Sequence, residues 1–120
     1  AAVDLADMRV VGVRAADANR FAALRCHALS GVHAVVAFGS DAPLMHLQTR
    51  ACENRVFIVQ VGRTEWRVID PDGRVTMERA STNMPAALSA IEIDVSAARD
   101  KCVARDTDVF AGRCAWLRHA

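Results

Sequence analysis

Three short runs of β-branched and apolar residues, Met8–Arg14 (MRVVGVR), His33–Phe38 (HAVVAF) and Val56–Val61 (VFIVQV), punctuate the first half of the chain. The stretches between them carry helical spacing. Strand–helix–strand alternation constrains a chain strongly, because parallel neighbours need a long crossover while antiparallel ones need only a turn. The run His33–Phe38 is continuously apolar and suits a strand covered on both faces. Between the first two runs, Phe21, Leu24, Ala28 and Leu29 predict a helix over Ala18–Ser30, with Asp17 placed to cap it and Gly31 to stop it at C′. Gly39-Ser40-Asp41 predicts a turn, and Pro43 opens a second helix running to Asn54.

The second half changes character. Trp66–Ile69 and Arg74–Glu78 flank Asp70-Pro71-Asp72-Gly73, where proline and glycine occupy the places a tight turn wants, so this segment predicts an antiparallel hairpin. Ala90–Val95 (AIEIDV) alternates and predicts a last strand. Ser96 is then placed to cap a short helix reaching Arg105. The tail, residues 106–120, holds Phe110 and Trp116 and is expected to pack at an interface. The order β-α-β-α-β-β-β-β-α gives one α/β domain built on a mixed sheet. Right-handed crossovers would put both helices of the first half on one face of it.

Composition narrows the function. The formal charge is +1, from 15 basic and 14 acidic residues spread along the chain, and no basic face suggests a nucleic-acid partner. The longest apolar stretches fall far short of a membrane span of about 20 residues. Asp4 and Asp7 interrupt the N-terminus before an apolar signal segment forms, which predicts a cytoplasmic setting. The four cysteines (Cys26, Cys52, Cys102 and Cys114) are irregularly spaced and are expected to be buried free thiols rather than disulfides. Cys26, His27, His33 and His46 lack any metal-ligand spacing, so neither a metal nor a cofactor is expected. Cys26 and His27 are helical neighbours whose side chains diverge. Cys52 with His46 has nothing specific behind it, Gly39-Ser40 lacks the glycine pattern of a nucleophile elbow, and no glycine-rich phosphate loop is present.

Several local motifs, in order, resemble the C-terminal half of the nitrilase (carbon–nitrogen hydrolase) family. That family has a strand leading to Gly-Val-x-x-Cys-x-Asp, then a helix ending Ala-Leu-x-Gly; here stand Val10-Val11-Gly12-Val13 and Ala28-Leu29-Ser30-Gly31. Its Arg-Ala-x-Glu-Asn motif before a strand is matched by Arg50-Ala51-Cys52-Glu53-Asn54. The hairpin turn Asp70 to Gly73 and the segment Glu92-Ile93-Asp94 complete the series. The resemblance covers about residues 9 to 105 and implies a partial nitrilase-like domain over residues 1–105, half of an α-β-β-α sandwich.

The departures carry the functional expectation. Aligned without gaps from the helix, Asp17 falls on the family's aspartate and Ala15 on the nucleophilic cysteine; anchored on Gly12, the nucleophile falls on Ala16. Alanine cannot attack a carbon in either register. The glutamate and lysine that would assist belong to a half of the fold not found in this chain, and its one lysine, Lys101, is expected on a surface helix. No catalytic residue is therefore assigned. The resemblance implies a module without activity of its own, acting as a homo-oligomer or with a complementing chain. The alternative is a subunit or fragment of an amidase or nitrilase whose triad comes from elsewhere. Arg50 and Glu53 are spaced to pair on a helix surface; with Asn54 and Trp116 they are the interface candidates.

Overall fold

The computed structural model describes residues 2–80 and 90–102. Six strands form one sheet in chain order: β1 (Ala2–Leu5), β2 (Met8–Arg14), β3 (Ala34–Phe38), β4 (Phe57–Val61), β5 (Glu65–Ile69) and β6 (Val75–Ala80). The three central strands β2, β3 and β4 run parallel, and the outer pairs are antiparallel hairpins. Crossovers α1 (Ala15–Ala18) with α2 (Phe21–Leu29), and α3 (Leu44–Asn54), link the parallel strands; α4 (Val95–Arg99) follows the sheet. The α/β class and mixed sheet expected from the sequence are present.

Both crossovers cover the same face. Val11, Val35, Ala37, Ile58 and Ile69 point toward the helices and pack with Ala15, Ala18, Leu24, Ala28, Leu47 and Ala51. Leu24, Leu47, Ile58 and Ile69 are almost fully buried, and each such side chain contributes about 1.5–3 kcal/mol when removed from water. The helices thus hold their positions by this core. The end of α2 follows from Gly31: at φ 84° it closes a Schellman motif, with Gly31 N–H donating to Ala28 O and Val32 N–H to His27 O. In the β5–β6 turn, Asp70 Oδ1 accepts from the amides of Asp72 and Arg74, both at 2.9 Å. Gly73, at φ 81°, lies so close to α3 that an added Cβ would fall 2.9 Å from Gln48 O.

Several expectations are corrected. β1 was not foreseen; its pairing depends on the two-residue turn Ala6-Asp7 more than on burial, because Val3 and Leu5 remain 56% and 53% exposed. The expected helix Ala18–Ser30 is two pieces, and Asp17 lies inside α1, where it pairs with Arg14 at 3.0 Å instead of capping α2. Pro43 stands at the N-cap of α3, one place ahead of its first turn. Ala90–Val95 forms no strand. Residues 91–94 are irregular; Ile91 and Ile93 pack on Phe57 and Val68 without joining the ladder. Asp94, not Ser96, caps α4: its carboxylate accepts from Ser96 N–H at 3.0 Å, and the Ser96 hydroxyl and amide hold its pKa below the usual value. Cys26 and Cys52 are free thiols but not buried, and Cys102 is exposed. Residues 103–105 of the expected last helix, the tail and Cys114 lie outside the described residues.

Lys101 is the largest correction. It is 6% exposed, and its Nζ donates to Arg55 O at 2.8 Å and Asn54 O at 3.4 Å. Beside it, Arg55 occupies the left-handed C-cap of α3 at φ 51° and is 8% exposed. Its guanidinium donates to Asp100 O at 2.9 Å, Pro71 O at 2.9 Å and Ala97 O at 3.3 Å, and to the Asp72 carboxylate. That bond holds Asp72 below the usual carboxylate range. One side chain thereby joins α3, the β5–β6 turn and the segment around α4.

Two substitutions separate backbone strain from side-chain worth. Ala6 has φ 53° at a hairpin position that favours glycine. Ala6→Gly is expected to raise unfolding free energy by about 0.5–1 kcal/mol in urea titrations. At Arg55, Arg55→Ala is expected to cost about 3 kcal/mol by stranding buried carbonyls. Arg55→Gly should cost about 1 kcal/mol less, because glycine accepts the left-handed backbone.

Candidate functional site

Parallel strands place their C-terminal ends together, and the loops leaving β2, β3 and β4 meet there. Ala15, the first residue of α1, is fully buried, whereas Ala16 is exposed. The two candidate nucleophile positions thus differ: the first faces the helix-side core, the second faces outward. Gly39 packs close to Ala15; a Cβ built on it would lie 3.8 Å from the Ala15 Cβ. Its φ of 115° lets the chain turn out of β3 while its amide donates to Val61 O at 2.8 Å.

A polar chain runs beside these loops. Gln60, 1% exposed, donates from Nε2 to Gly39 O at 3.0 Å and accepts from Arg67 Nη1 at 3.3 Å. Arg67 also meets Glu65 at 3.4 Å, and its Nε is buried without a partner. Gln60 is the polar residue inside the apolar run VFIVQV, a signal the sequence offered and that burial turns into a loop-anchoring bond. Ser40, whose Oγ would crowd any side chain added at Gly62, is exposed. Among the described residues, no cysteine or lysine joins these loops: Cys26 lies on α2 and Lys101 against the C-terminus of α3, while His46 is an exposed residue in the first turn of α3. No group of three or more metal-ligating side chains is found among the described residues.

The second candidate cluster lies between α2 and α3. Arg50 and Glu53 form the expected ion pair, but both are mostly covered, at 21% and 27% exposure. Asn54 is fully buried and donates to Arg50 O at 2.8 Å. Arg25 donates to Glu53 O at 3.0 Å, and the guanidinium groups of Arg25 and Arg50 lie 5.5 and 5.6 Å from the centre of the Phe21 ring. Arg50 Nε and Asn54 Oδ1 are buried without partners. The cluster therefore joins two helices while presenting Phe21, 54% exposed, to solvent. Trp116 lies outside the described residues.

Among the described residues, those that cover the face of the sheet opposite the helices gather at one end. Ile91, Ile93, Ala97 and Ala98 pack there on Ala34, Phe57 and Val68. Toward the C-terminal ends of the parallel strands, Phe38, Val61 and Met77 are 54%, 37% and 42% exposed, with Val36 and Val59 half-buried between them. Gly12 makes room for Phe38 to lie across the sheet: a Cβ there would meet the ring at 3.2 Å.

No protein-family model and no curated protein matches the sequence. Solved structures do. An amidase from Nesterenkonia sp. AN1 superposes with a TM-score of 0.64 at 16% identity, over 99% of this chain and 48% of its own. A cysteine-to-alanine mutant of that amidase, in complex with butyramide, gives 0.59 at 18% identity over 67% of this chain and 37% of its own. A nitrilase-superfamily protein of Saccharomyces cerevisiae gives 0.58 at 15% identity over 68% and 36%. Described residues 2–80 and 90–102 thus build a nitrilase-like fold, and the chain spans less than half the length of the structures it is similar to.

Proposed function

We propose that this chain is a nitrilase-like module without hydrolytic activity of its own, which works by docking the open face of its sheet on a second copy or on a complementing chain. The observation that carries the proposal is the exposed apolar surface of Phe38, Val61 and Met77 on a sheet whose other face is packed against helices over its central strands. A sheet with one such face is stabilised by packing against another at about 10 Å. The loss of chemistry rests on Ala15 and Ala16, because hydrolysis in this fold requires a thiolate, a proton shuttle and a cation that steadies the oxyanion. Lys101 does not supply that cation, since it is buried against the carbonyls at the end of α3.

A second reading makes the chain part of an amidase or nitrilase acting on non-peptide C–N bonds, with cysteine, glutamate and lysine brought by another polypeptide. It is favoured by the amidases among the similar structures and by the fraction of their length that this chain spans. Phe21, exposed over the Arg50–Glu53 pair, offers a second contact point in either reading, whereas Asn54 is buried beneath it.

Native mass by light scattering, with intact mass spectrometry of each component, tests the proposal. The protein is expected to be a homo-oligomer or a complex, and Phe38→Asp is expected to release it as a 13.0 kDa chain with an unchanged far-ultraviolet dichroism spectrum. A monomeric wild type that isolates alone would sink the docking proposal. A co-purifying chain bearing all three catalytic groups, with amide hydrolysis by the complex, would establish the second reading.

Ala15→Cys separates a missing nucleophile from a missing site. The purified variant is expected to show no amide or nitrile turnover above background, because one group of a mutually dependent set restores little. Turnover blocked by a thiol reagent would overturn this.

A further inference from the structure

His33 stands immediately before β3, where its backbone bonds both neighbours: its amide donates to Arg9 O at 2.9 Å and its carbonyl accepts from Phe57 N–H at 2.9 Å. Its ring makes a third bond. The Arg9 amide donates to His33 Nδ1 at 2.9 Å, so an imidazole nitrogen occupies the place a strand carbonyl would take. This bond requires Nδ1 to be bare, which places the proton of the neutral ring on Nε2.

The surroundings are closed by ion pairs that use up the nearby acids. From β1, Asp4 is bound to the Arg9 guanidinium at 2.8 Å. Arg9 of β2 also reaches Ser30 O at 3.0 Å. From the β1–β2 turn, Asp7 receives Arg99 of α4 twice, at its carbonyl (3.1 Å) and its carboxylate (3.2 Å). Lys101, after α4, donates to Arg55 O and adds a third positive charge. Among the described residues, the charged groups acting on the ring are Arg9, Arg99 and Lys101 against Asp4 and Asp7.

We propose that His33 is a pH-operated latch whose neutral ring fastens the start of β2 to β3, and whose protonation loosens the clasp between the β1–β2 turn and the segment around α4. A proton on Nδ1 sets a donor against the Arg9 N–H, so the ring must turn away and the first ladder position of β2 loses its acceptor. The new charge enters beside Arg9 and Arg99, whose acidic partners Asp4 and Asp7 are already committed to them. The segment that Arg99 ties down is the one covering Phe57 and Val68, so opening the clasp would extend the apolar face already exposed at the other end of the sheet.

Burial first, and then the neighbouring cations, push the His33 pKa below its ordinary value of 6.5. The folded protein then binds fewer protons than the unfolded chain in this range. Its stability is complete above the ordinary value and declines as pH falls through the depressed one. Asp4, Asp72 and Asp94 are held below 3.8, so their contributions fail at lower pH.

Amide exchange and ring ¹⁵N shifts, followed on the full chain from about pH 7.5 to about pH 5, test the latch. Protection of the Arg9, Ala97 and Asp100 amides is expected to fall together, by up to about tenfold per pH unit between the ordinary histidine value and the depressed one, and to level off once the folded ring is protonated. His33→Asn keeps an acceptor oxygen without a titrating group and should hold that protection flat. The latch is overturned if protection survives the titration of the ring, or if the asparagine variant loses it over the same range. Should that variant not fold, the wild type decides alone: a fall in Arg9 protection that levels off at the midpoint of the ring shift supports the latch, and a fall that continues past that midpoint refutes it.

Discussion

A single left-handed residue determines how the parts of this molecule are held. Arg55 ends α3, and the backbone there would be more at ease with glycine. The guanidinium compensates by satisfying carbonyls from two other segments, while Lys101 comes from the far side to satisfy the carbonyl of Arg55 itself. Two cations share this region because each has several oxygens in range, and buried positive charge is tolerated only with that supply of acceptors. Without the pair, the β5–β6 turn and α4 would rest on few other polar contacts with the helical layer, Gln48 to Gly73 among them.

The parts of the fold legible in the sequence were those where burial and hydrogen bonding coincide. The runs forming β2, β3 and β4 are apolar because they are covered over much of their length and paired on both edges. Asp70 to Gly73 gave a turn because each residue type meets a separate demand of the geometry. Ala90–Val95 misled because alternation records only which side of an extended chain is covered; Ile91 and Ile93 are covered by the sheet face with no ladder beside them. β1 was hidden by Asp4, whose charge serves Arg9 across the strand pair and is no sign of a loop.

The network around the candidate site was illegible in the sequence. Counting from neighbouring motifs placed alanine after β2, and burial distinguishes Ala15 from Ala16. The chain from Gly39 through Gln60 and Arg67 to Glu65 depends on contacts between loops that no local spacing encodes. Lys101 was expected on a surface helix from its place after the matched segment; the carbonyls gathered at the end of α3 draw it inward instead.

The strands lie in the sheet in the order in which they occur in the chain. Each new strand, as it leaves the ribosome, finds its neighbour already laid down, so the sheet can grow from one side without waiting for distant sequence. The exception is the stretch around α4, which returns across the chain to reach Asp7 and Arg55. Its contact with Asp7 spans 92 positions of the chain, so this clasp is the non-local one in a sheet otherwise built from sequence neighbours.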